Sequence, residues 1–180
     1  DEMRYKLMPY IYAQAKDCSE RGLPMVRALF VEYPNDPGSW LIDNEYLFGS
    51  DMLIAPMFEN GTSRDVYLPG GKWIDYQTGK VYAGGWHKIE AGVVPIVVLV
   101  RDGAAIPHAK LAQSTAFIDF KDIELKVYTA DKTTKAGALI CLPTEQKLYN
   151  ITLDPGPNGY TLSDNPLARQ GVVMRPTLAE

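Results

Sequence analysis

The sequence predicts a mainly β protein, in which an antiparallel β-sandwich is followed by a second β-sandwich-like domain and preceded by one α/β step. Three observations lead to this fold class. Short β-type runs separated by Gly, Pro and Asn fill the middle of the chain, a second series of such runs fills its last third, and helical spacing is clearest at its beginning. Short strands at regular spacing are typical of sandwiches and barrels.

The first predicted element is an amphipathic helix over residues 3–20. Its apolar side chains recur at helical spacing and form one broad stripe. The stripe consists of Met3, Leu7, Met8, Ile11, Tyr12, Ala15 and Cys18. Pro9 removes one hydrogen bond of the helix, so we expect either a kink at Pro9 or a helix whose first turns contain it. Gly22 supplies the C-terminal stop.

The second predicted element is a strand over residues 25–33, apolar on both faces except at Arg27 and Glu32. Strands of this kind belong to parallel sheets that are covered by helices. Helix, glycine and strand therefore form one step of an alternating α/β pattern, which cannot cover its own apolar faces and indicates the end of a larger unit. A short helix is predicted over residues 40–48, ended by Gly49.

The two β series follow. The first consists of the runs 52–58, 64–68, 72–76, 80–82, 86–90, 96–101 and 104–106. Within it, YQTGKVY at residues 76–82 predicts a hairpin in which Gly79 supplies a positive φ angle. The second series consists of the runs 124–129, 138–142, 149–153, 160–162 and 172–176. The polar stretch 109–115 between them is the predicted linker.

Composition narrows the function classes. The net charge is -4 and no cluster of Lys and Arg stands out, so the basic footprint of a nucleic-acid-binding protein is missing. No apolar run reaches the roughly 18 residues that a membrane-spanning helix needs. The hydrophobic fraction of 46% is ordinary for a folded globular protein and argues against disorder.

Cysteine and histidine are too sparse to indicate a metal site. Cys18 and Cys141 have no Cys or His neighbour at ligand spacing, so no zinc site is predicted. They are predicted to fall in different structural units and to be free thiols, with a disulfide as the alternative. His87 and His108 are equally isolated, and each is interpreted as a packed or solvated histidine in preference to a catalytic one.

Four stretches of the sequence occur in a family-specific order. They are RYKLMPYIY at 4–12, PMVRALFVEYPNDP at 24–37, EYLFGSDMLIAPMF at 45–58, and VYLPGGKWIDYQTGKVYAGG at 66–85 together with PIVVLVRDGAAIP at 95–107. In order and spacing they resemble glycoside hydrolase family 31, the α-glucosidase and α-xylosidase family. The resemblance implies that the first two stretches are the last helix and strand of a (β/α)8 barrel. It implies that the other two are the entry into, and later strands of, a proximal β-sandwich.

The resemblance also implies a division into domains. Residues 1–50 would be the end of the (β/α)8 barrel, 51–108 the proximal C-terminal β-sandwich, and 109–180 the distal C-terminal β domain. The parent enzyme would hydrolyse α-linked xylosides or glucosides with retention and without a metal or cofactor. Many family members have Arg-Pro at the eighth strand, whereas this chain has Arg27-Ala28, which resembles the α-xylosidase branch.

No catalytic residue is predicted within the chain. A retaining glycosidase needs two carboxylates about 5 to 5.5 Å apart, and the family places them on earlier barrel strands, whose motifs do not occur here. The chain alone is therefore predicted to be inactive. Because catalytic groups gather at the C-terminal ends of barrel strands, Glu32 and Asp36 are candidates for the substrate-side barrel rim. The structural alternative is a rim salt bridge or a helix N-cap. Arg27 is predicted to neutralise a buried carboxylate in preference to contacting sugar.

Aromatic side chains offer a second kind of candidate. Trp73, Tyr76, Tyr82 and Trp86 lie on neighbouring predicted strands. Exposed aromatic rings can stack on the apolar CH faces of sugars, which makes Trp73 and Trp86 candidate sugar-stacking residues. The alternative is that these rings pack in a core or between domains.

The predicted partners follow from this interpretation. They are the upstream catalytic barrel of the same polypeptide and the carbohydrate substrate of the parent, with no nucleic acid and no membrane. Self-association is expected through residues 3–33, which would lack their barrel partners. Two alternatives belong to other classes: a stand-alone carbohydrate-binding β-sandwich module without catalytic activity, and a purely structural interaction module. No compartment is predicted.

Overall fold

The computed structural model describes residues 1–179 and is mainly β, which confirms the predicted fold class. The helices in this range are α1 (Glu2–Lys6), α2 (Met8–Arg21) and α3 (Leu29–Glu32). The strands are β1 (Val26–Arg27), β2 (Tyr46–Phe48), β3 (Met52–Pro56), β4 (Ser63–Asp75), β5 (Val81–Glu90), β6 (Ile96–Arg101), β7 (Ala104–Ala109), β8 (Asp122–Tyr128), β9 (Ala136–Cys141), β10 (Leu148–Gly156), β11 (Gly159–Leu162) and β12 (Val173–Leu178).

The described residues form two compact units. The central unit comprises Pro24–Asp102, and the terminal unit comprises Asp1–Leu23 together with Gly103–Ala179. Each unit contains one six-stranded sheet and its own apolar core. The domain boundaries predicted at residues 50 and 108 concern a longer enzyme and stay a prediction, while the compact units of this chain divide elsewhere.

The terminal unit packs helix α2 on a mixed sheet of order β11-β10-β9-β7-β8-β12. The helix begins after a break at Leu7, so Pro9 occupies its first turn, where a missing N–H costs nothing. It ends at Gly22, whose φ of 67° is the left-handed conformation that glycine adopts freely. The predicted helix is present, and the sheet of this unit covers the face that carries Tyr10 and Cys18.

The sheet of the terminal unit explains two corrections. Strand β7 was assigned to the first β series, but it pairs with β8 from Ala104 opposite Tyr128 to Ala109 opposite Ile123. All of its residues are buried, so it needs neighbours on both faces and both edges. Cys18 and Cys141 were predicted to lie in different units. Both are buried free thiols of the terminal unit, because α2 packs against β9.

The central unit is an antiparallel sheet of order β1-β2-β3-β6-β4-β5 that closes over one core. Strand β4 changes register between Leu68 and Lys72, and only its last residues pair with β6. This bulge lets the two halves of the long strand lie in different layers. Side chains from both halves meet in one core, consisting of Leu29, Ile42, Leu47, Leu53, Ala55, Val66, Leu68, Trp73, Ile89, Val97 and Leu99. That layering is the sandwich-type arrangement that the sequence predicts.

The first part of the central unit differs from the prediction. The strand predicted over residues 25–33 is reduced to β1, followed by the helical turn α3. β1 lies at the edge of the sheet and pairs only with β2, antiparallel, whereas a buried parallel strand needs a neighbour on each side. The helix predicted over residues 40–48 is also wrong. A 3-10 turn ends at Trp40, and Tyr46–Phe48 forms β2, in which Leu47 points into the core.

Two strands of the first series are longer than predicted, because each joins two of the predicted runs. Residues 64–68 and 72–76 were expected as two strands, but β4 runs through both with the bulge between them. Residues 80–82 and 86–90 likewise join into β5. The intervening glycines suggested turns, but here they lie within a paired ribbon, where the close approach of the backbones favours glycine.

Candidate functional site

Glu32 lies at the end of the helical turn α3 and forms an ion pair with Arg27 of the neighbouring strand β1. Arg27 Nη2 lies 2.8 Å from Glu32 Oε1, and the guanidinium also donates to Ser50 Oγ and to the carbonyl of Pro24. The Arg27 side chain is fully buried, whereas that of Glu32 is 20% exposed. The pair therefore neutralises a buried cation, which would be costly to leave alone.

Asp36 caps the 3-10 turn that follows. Its Oδ1 accepts a 3.0 Å hydrogen bond from Gly38 N, and Pro37 occupies the first position of the turn. The Asp-Pro pair suits a helix start, because aspartate caps a free N–H and proline has none to satisfy. Glu32 and Asp36 thus occupy the two structural roles that were weighed for them. Their place on the substrate side of a barrel rim stays a prediction.

Tyr67 connects Asp36 to the interior of the sheet. Its hydroxyl donates a 2.7 Å hydrogen bond to Asp36 Oδ1, and its backbone N–H donates a 2.9 Å bond to Glu45 Oε1. The hydrogen bond to the Asp36 carboxylate, followed by burial, raises the pKa of the Tyr67 phenol to about 12. The residue is held at both ends by carboxylates that lie in different loops.

Glu45 is the buried acid of this cluster. Its side chain is fully buried, and Arg64 Nη2 lies 3.5 Å from its Oε1. Burial raises the pKa of the Glu45 carboxyl to about 7, although the bond from Tyr67 N and the charge of Arg64 act in the opposite direction. Among residues 1–179, Glu45 Oε2 has no hydrogen-bond partner. The group can therefore change its protonation state near neutral pH.

Gly38 fixes the position of the Tyr67 ring. A Cβ placed on Gly38 would lie 2.3 Å from both Cζ and Oη of Tyr67. The φ of Gly38 is not in the left-handed region, so this residue is required for space and not for backbone freedom. Any larger side chain would push the tyrosine hydroxyl away from Asp36.

Of the two candidate sugar-stacking residues, one is buried and one is open. Trp73 is 1% exposed and its Nε1 donates to the carbonyl of Pro69, so its ring packs in the core and offers no face to a ligand. Trp86 is 63% exposed, and its ring centroid lies 5.4 Å from that of Tyr67. The structure therefore brings Trp86 and Asp36 together through Tyr67. The Tyr82 ring contacts the His87 ring, with a centroid distance of 5.4 Å.

Two shallow cavities open on the central unit beside these residues. One, of about 400 Å³, is lined by Glu32, Tyr33, Pro34, Asn35, Asp36 and Gly70. The other, of about 340 Å³, includes Asn44, Phe58, Arg64, Asp65 and Lys88 in its lining. Both are lined by polar as well as apolar groups, and neither holds three metal-binding side chains, since residues 1–179 contain no such cluster. No helix in the described range is long and apolar enough to cross a membrane.

Comparison of the sequence with known proteins identifies its relatives. Residues 22–106 match the model of the glycosyl hydrolase family 31 C-terminal domain. Alpha-glucosidase 2 of Bacillus thermoamyloliquefaciens is 37% identical over 119 residues, and an alpha-glucosidase of Saccharolobus solfataricus is 38% identical over 152 residues. The chain belongs to glycoside hydrolase family 31.

A solved structure of a family 31 enzyme extends the match to nearly the whole chain. The α-xylosidase of Xanthomonas citri superimposes on 99% of it, with a TM-score of 0.76 and 25% sequence identity. The two alpha-glucosidases cover 65% and 84% of the chain. The chain spans 15% and 21% of their lengths and 21% of the α-xylosidase, so it corresponds to a small part of each relative.

Three residues of this family 31 chain went unrecognised in the sequence: Gly38, Glu45 and Tyr67. Asp36-Pro37 carries a cap signature that predicts the turn, but nothing local shows that a tyrosine 31 positions later reaches its carboxylate. The sequence around Glu45 gives no sign of its role either, because the backbone N–H that binds its carboxylate belongs to Tyr67 on the distant strand β4.

Proposed function

We propose that this chain is the C-terminal structural region of a retaining α-glycosidase, α-xylosidase-like, that hydrolyses α-linked xylosides or glucosides. The observation that carries the proposal is the likeness of nearly the whole chain to the Xanthomonas citri α-xylosidase, supported by the family match. The alpha-glucosidases among its relatives keep α-glucosides in the substrate class.

The role proposed for the chain's own residues is to support the enzyme and not to perform the chemistry. A retaining glycosidase attacks the anomeric carbon with one carboxylate and protonates the leaving oxygen with another, about 5 to 5.5 Å away. The two acids nearest the proposed barrel rim are already engaged, Glu32 with Arg27 and Asp36 with Gly38 and Tyr67. The proposal therefore places the reacting pair in the upstream part of the parent, with no metal or cofactor.

An exposed apolar face on the central unit is an argument that this unit binds a partner. This face consists of Val26, Phe30, Val31, Trp40 and Leu41, of which Leu41 is 83% exposed. The rings of Phe30 and Trp40 stack with a centroid distance of 4.7 Å. Exposed apolar side chains that pack together, as Phe30 and Trp40 do, mark contact surfaces. The upstream barrel of the same polypeptide is the proposed occupant, with a second copy of the chain taking its place when the barrel is missing.

The experiment compares the 180-residue chain with the same chain joined to its native upstream sequence. Both are assayed with nitrophenyl α-D-xyloside and nitrophenyl α-D-glucoside. The longer protein is expected to hydrolyse at least one substrate, with the xyloside preferred, and the 180-residue chain neither. Hydrolysis by the 180-residue chain that disappears when one of its own carboxylates is replaced would refute the structural role. A longer protein inactive on both substrates would refute the parent activity.

The second candidate is a stand-alone carbohydrate-binding module without catalytic activity. The exposed ring of Trp86 favours it, because a binding module needs an open aromatic face and no reacting carboxylates. Sugar binding by the 180-residue chain, combined with an upstream sequence that contains no barrel, would favour this second candidate.

A further inference from the structure

The outer face of strands β4 and β5 presents a line of aromatic and polar side chains. Strand β5 is at the edge of its sheet, and Tyr67 pairs with Trp86 while Asp65 pairs with Lys88. Directly paired residues of antiparallel strands project their side chains to the same face. Val66, between the two pairs on β4, points into the core instead. The four side chains therefore share one face that is open on the central unit.

The Trp86 ring is 63% exposed, and the two residues that precede it on β5 are glycines. Gly84 and Gly85 precede it and add no side chains beside the ring. At Gly84 a Cβ would come within 3.0 Å of Gly70 Cα and 3.1 Å of the Pro69 carbonyl, so the two strands are too close there for a larger residue. Contact with Tyr67 on one side holds the ring in place.

Polar groups lie on both sides of the aromatic pair. On one side, Asp36 Oδ1 is occupied by Tyr67 and Gly38, whereas Oδ2 has no hydrogen-bond partner among residues 1–179. On the other side, Asp65 and Lys88 are exposed and line the 340 Å³ cavity. They lie two positions from the aromatic pair, which is about 7 Å along a strand. An aromatic platform is thus flanked by groups that accept and donate hydrogen bonds.

This arrangement fits a sugar better than a purely apolar ligand. A pyranose ring has an apolar CH face that can stack on an indole, while its hydroxyls need hydrogen-bond partners at the ring's edges. Carboxylates accept such bonds and an ammonium group donates them. Tyr67 contacts both Trp86 and Asp36 and so keeps the indole ring and the carboxylate at a fixed separation. Fewer side chains then have to be ordered when a sugar binds, which lowers the entropic cost of binding.

We propose that this outer face, centred on Trp86, is a carbohydrate-binding surface that stacks one ring of an α-linked oligosaccharide on the indole and binds its hydroxyls through Asp36, Asp65 and Lys88. The choice of α-linked sugar rests on the proposed function. The surface would hold substrate chains on the central unit of this chain.

The test measures sugar binding by the 180-residue chain with isothermal titration calorimetry. The probes are maltotetraose and an α-xylosylated glucose disaccharide, titrated into the wild-type chain, Trp86→Ala, Asp36→Asn and the control Phe117→Ala. Phe117 is also an exposed aromatic residue, but it belongs to the terminal unit and lies outside the proposed surface. Far-UV circular dichroism verifies that each variant is folded.

The expected result is that wild type and Phe117→Ala bind at least one probe equally, and that Trp86→Ala weakens binding on the order of tenfold. Asp36→Asn should weaken binding by a smaller factor. In asparagine the position of Oδ2 is taken by an NH2 group or by an uncharged carbonyl oxygen, and neither accepts a hydrogen bond as strongly as a carboxylate oxygen. Absence of binding by wild type, or equal binding by Trp86→Ala, would overturn the proposal even if the longer protein is a glycosidase. Trp86-dependent binding together with an inactive longer protein would instead sustain the surface and overturn the proposed function.

Discussion

The Tyr67 hydroxyl donates a 2.7 Å hydrogen bond to Asp36 Oδ1 across 31 positions of sequence. Through this bond the capped turn that follows the predicted barrel rim is tied to the sheet of the central unit. Tyr67 also contacts Trp86 and donates its backbone N–H to Glu45. One residue therefore joins the candidate rim, the candidate sugar-stacking ring and the buried acid.

The first prediction concerns the pKa of this tyrosine. In Asp36→Asn the phenol no longer faces a carboxylate, so its pKa should fall from about 12 toward the ordinary value of 10.0. Ultraviolet titration of tyrosinate absorbance, compared between Asp36→Asn and the wild-type chain, measures the change. Asp43→Asn, an exposed aspartate of the same unit, serves as the control and should leave the titration curve unchanged. Identical curves for Asp36→Asn and wild type would show that the bond does not persist in solution.

The second prediction concerns the pH dependence that Glu45 gives to the central unit. Its folded pKa of about 7 lies above its ordinary value of 4.5, so the folded state binds the proton more tightly between these pH values. The contribution of this group to stability is therefore fully present below pH 4.5 and is lost as pH rises to about 7. The loss is on the order of 3 kcal/mol.

Tryptophan fluorescence provides the measurement for Glu45, because all three tryptophans lie in the central unit. Urea unfolding of the wild-type chain should show the free energy of unfolding of this unit falling between pH 5 and pH 7, and Glu45→Gln should remove most of the fall. Glu59→Gln replaces an exposed carboxylate of the same unit and should keep the wild-type slope. A Glu45→Gln variant with that same slope would mean that the carboxyl is not buried in solution.

The third prediction concerns His108 and has the opposite sign. Burial lowers its pKa to about 4, against the hydrogen bond to the Ile106 carbonyl and the charge of Glu124, while the charges of Lys126 and Lys6 act in the same direction as burial. The folded state then binds the proton less tightly than the unfolded chain. The terminal unit is therefore most stable above the ordinary pKa of 6.5 and loses stability as pH falls toward 4.

Hydrogen exchange of strand β7 follows the terminal unit separately from the central one. Protection of Ala104–Ala109 should decrease between pH 6.5 and pH 4.5 after correction for intrinsic exchange rates, and His108→Gln should reduce that decrease. His87→Gln changes a histidine of the central unit and should have no such effect. Protection of β7 that is independent of pH in the wild-type chain would contradict the prediction.

The fourth prediction concerns the apolar face of Val26, Phe30, Val31, Trp40 and Leu41. Sedimentation or light scattering of the 180-residue chain should show association that grows with concentration, because the side chains of this face are exposed in the part of the chain that the structure describes. Leu41→Glu places a charge at its most exposed position and should shift the chain toward monomer. Val93→Glu, at a fully exposed valine outside the face, should not. Equal association of both variants and wild type would exclude the face as the contact.

The sequence predicted the parts of the fold that depend on local pattern. The apolar stripe over residues 3–20 gave α2, and all five runs of the second β series overlap strands β8 to β12. The strand predicted over residues 25–33 was wrong. A strand that is apolar on both faces forms only between two neighbouring strands, and β1 has only β2 beside it. Glycines at 70 and 71 and at 84 and 85 suggested chain breaks, but they lie within paired strands. Gly84 approaches Gly70 too closely for a larger residue, and Gly71 and Gly85 have φ angles of 115° and 117°.

The candidate site was predictable only in part. Asp36 and Trp86 were selected by residue type, and the Asp-Pro pair was a sufficient signal for the cap. Whether an aromatic ring is buried depends on the face of the strand to which it belongs, and the unrecognised bulge after Leu68 obscured that assignment for Trp73. Tyr67 was missed because its role depends on a tertiary contact with a distant loop.

The central claim is that this chain supports a retaining α-glycosidase whose reacting carboxylates lie outside it. A retaining enzyme forms a covalent glycosyl intermediate on its nucleophile, and a 5-fluoro-α-xylosyl or 5-fluoro-α-glucosyl fluoride traps that intermediate. The direct measurement is mass spectrometry of peptides from the longer protein after such labelling. The account predicts one labelled aspartate upstream of residue 1 and no label within residues 1–180. A label on Glu32, Asp36 or any other carboxylate of this chain would contradict it.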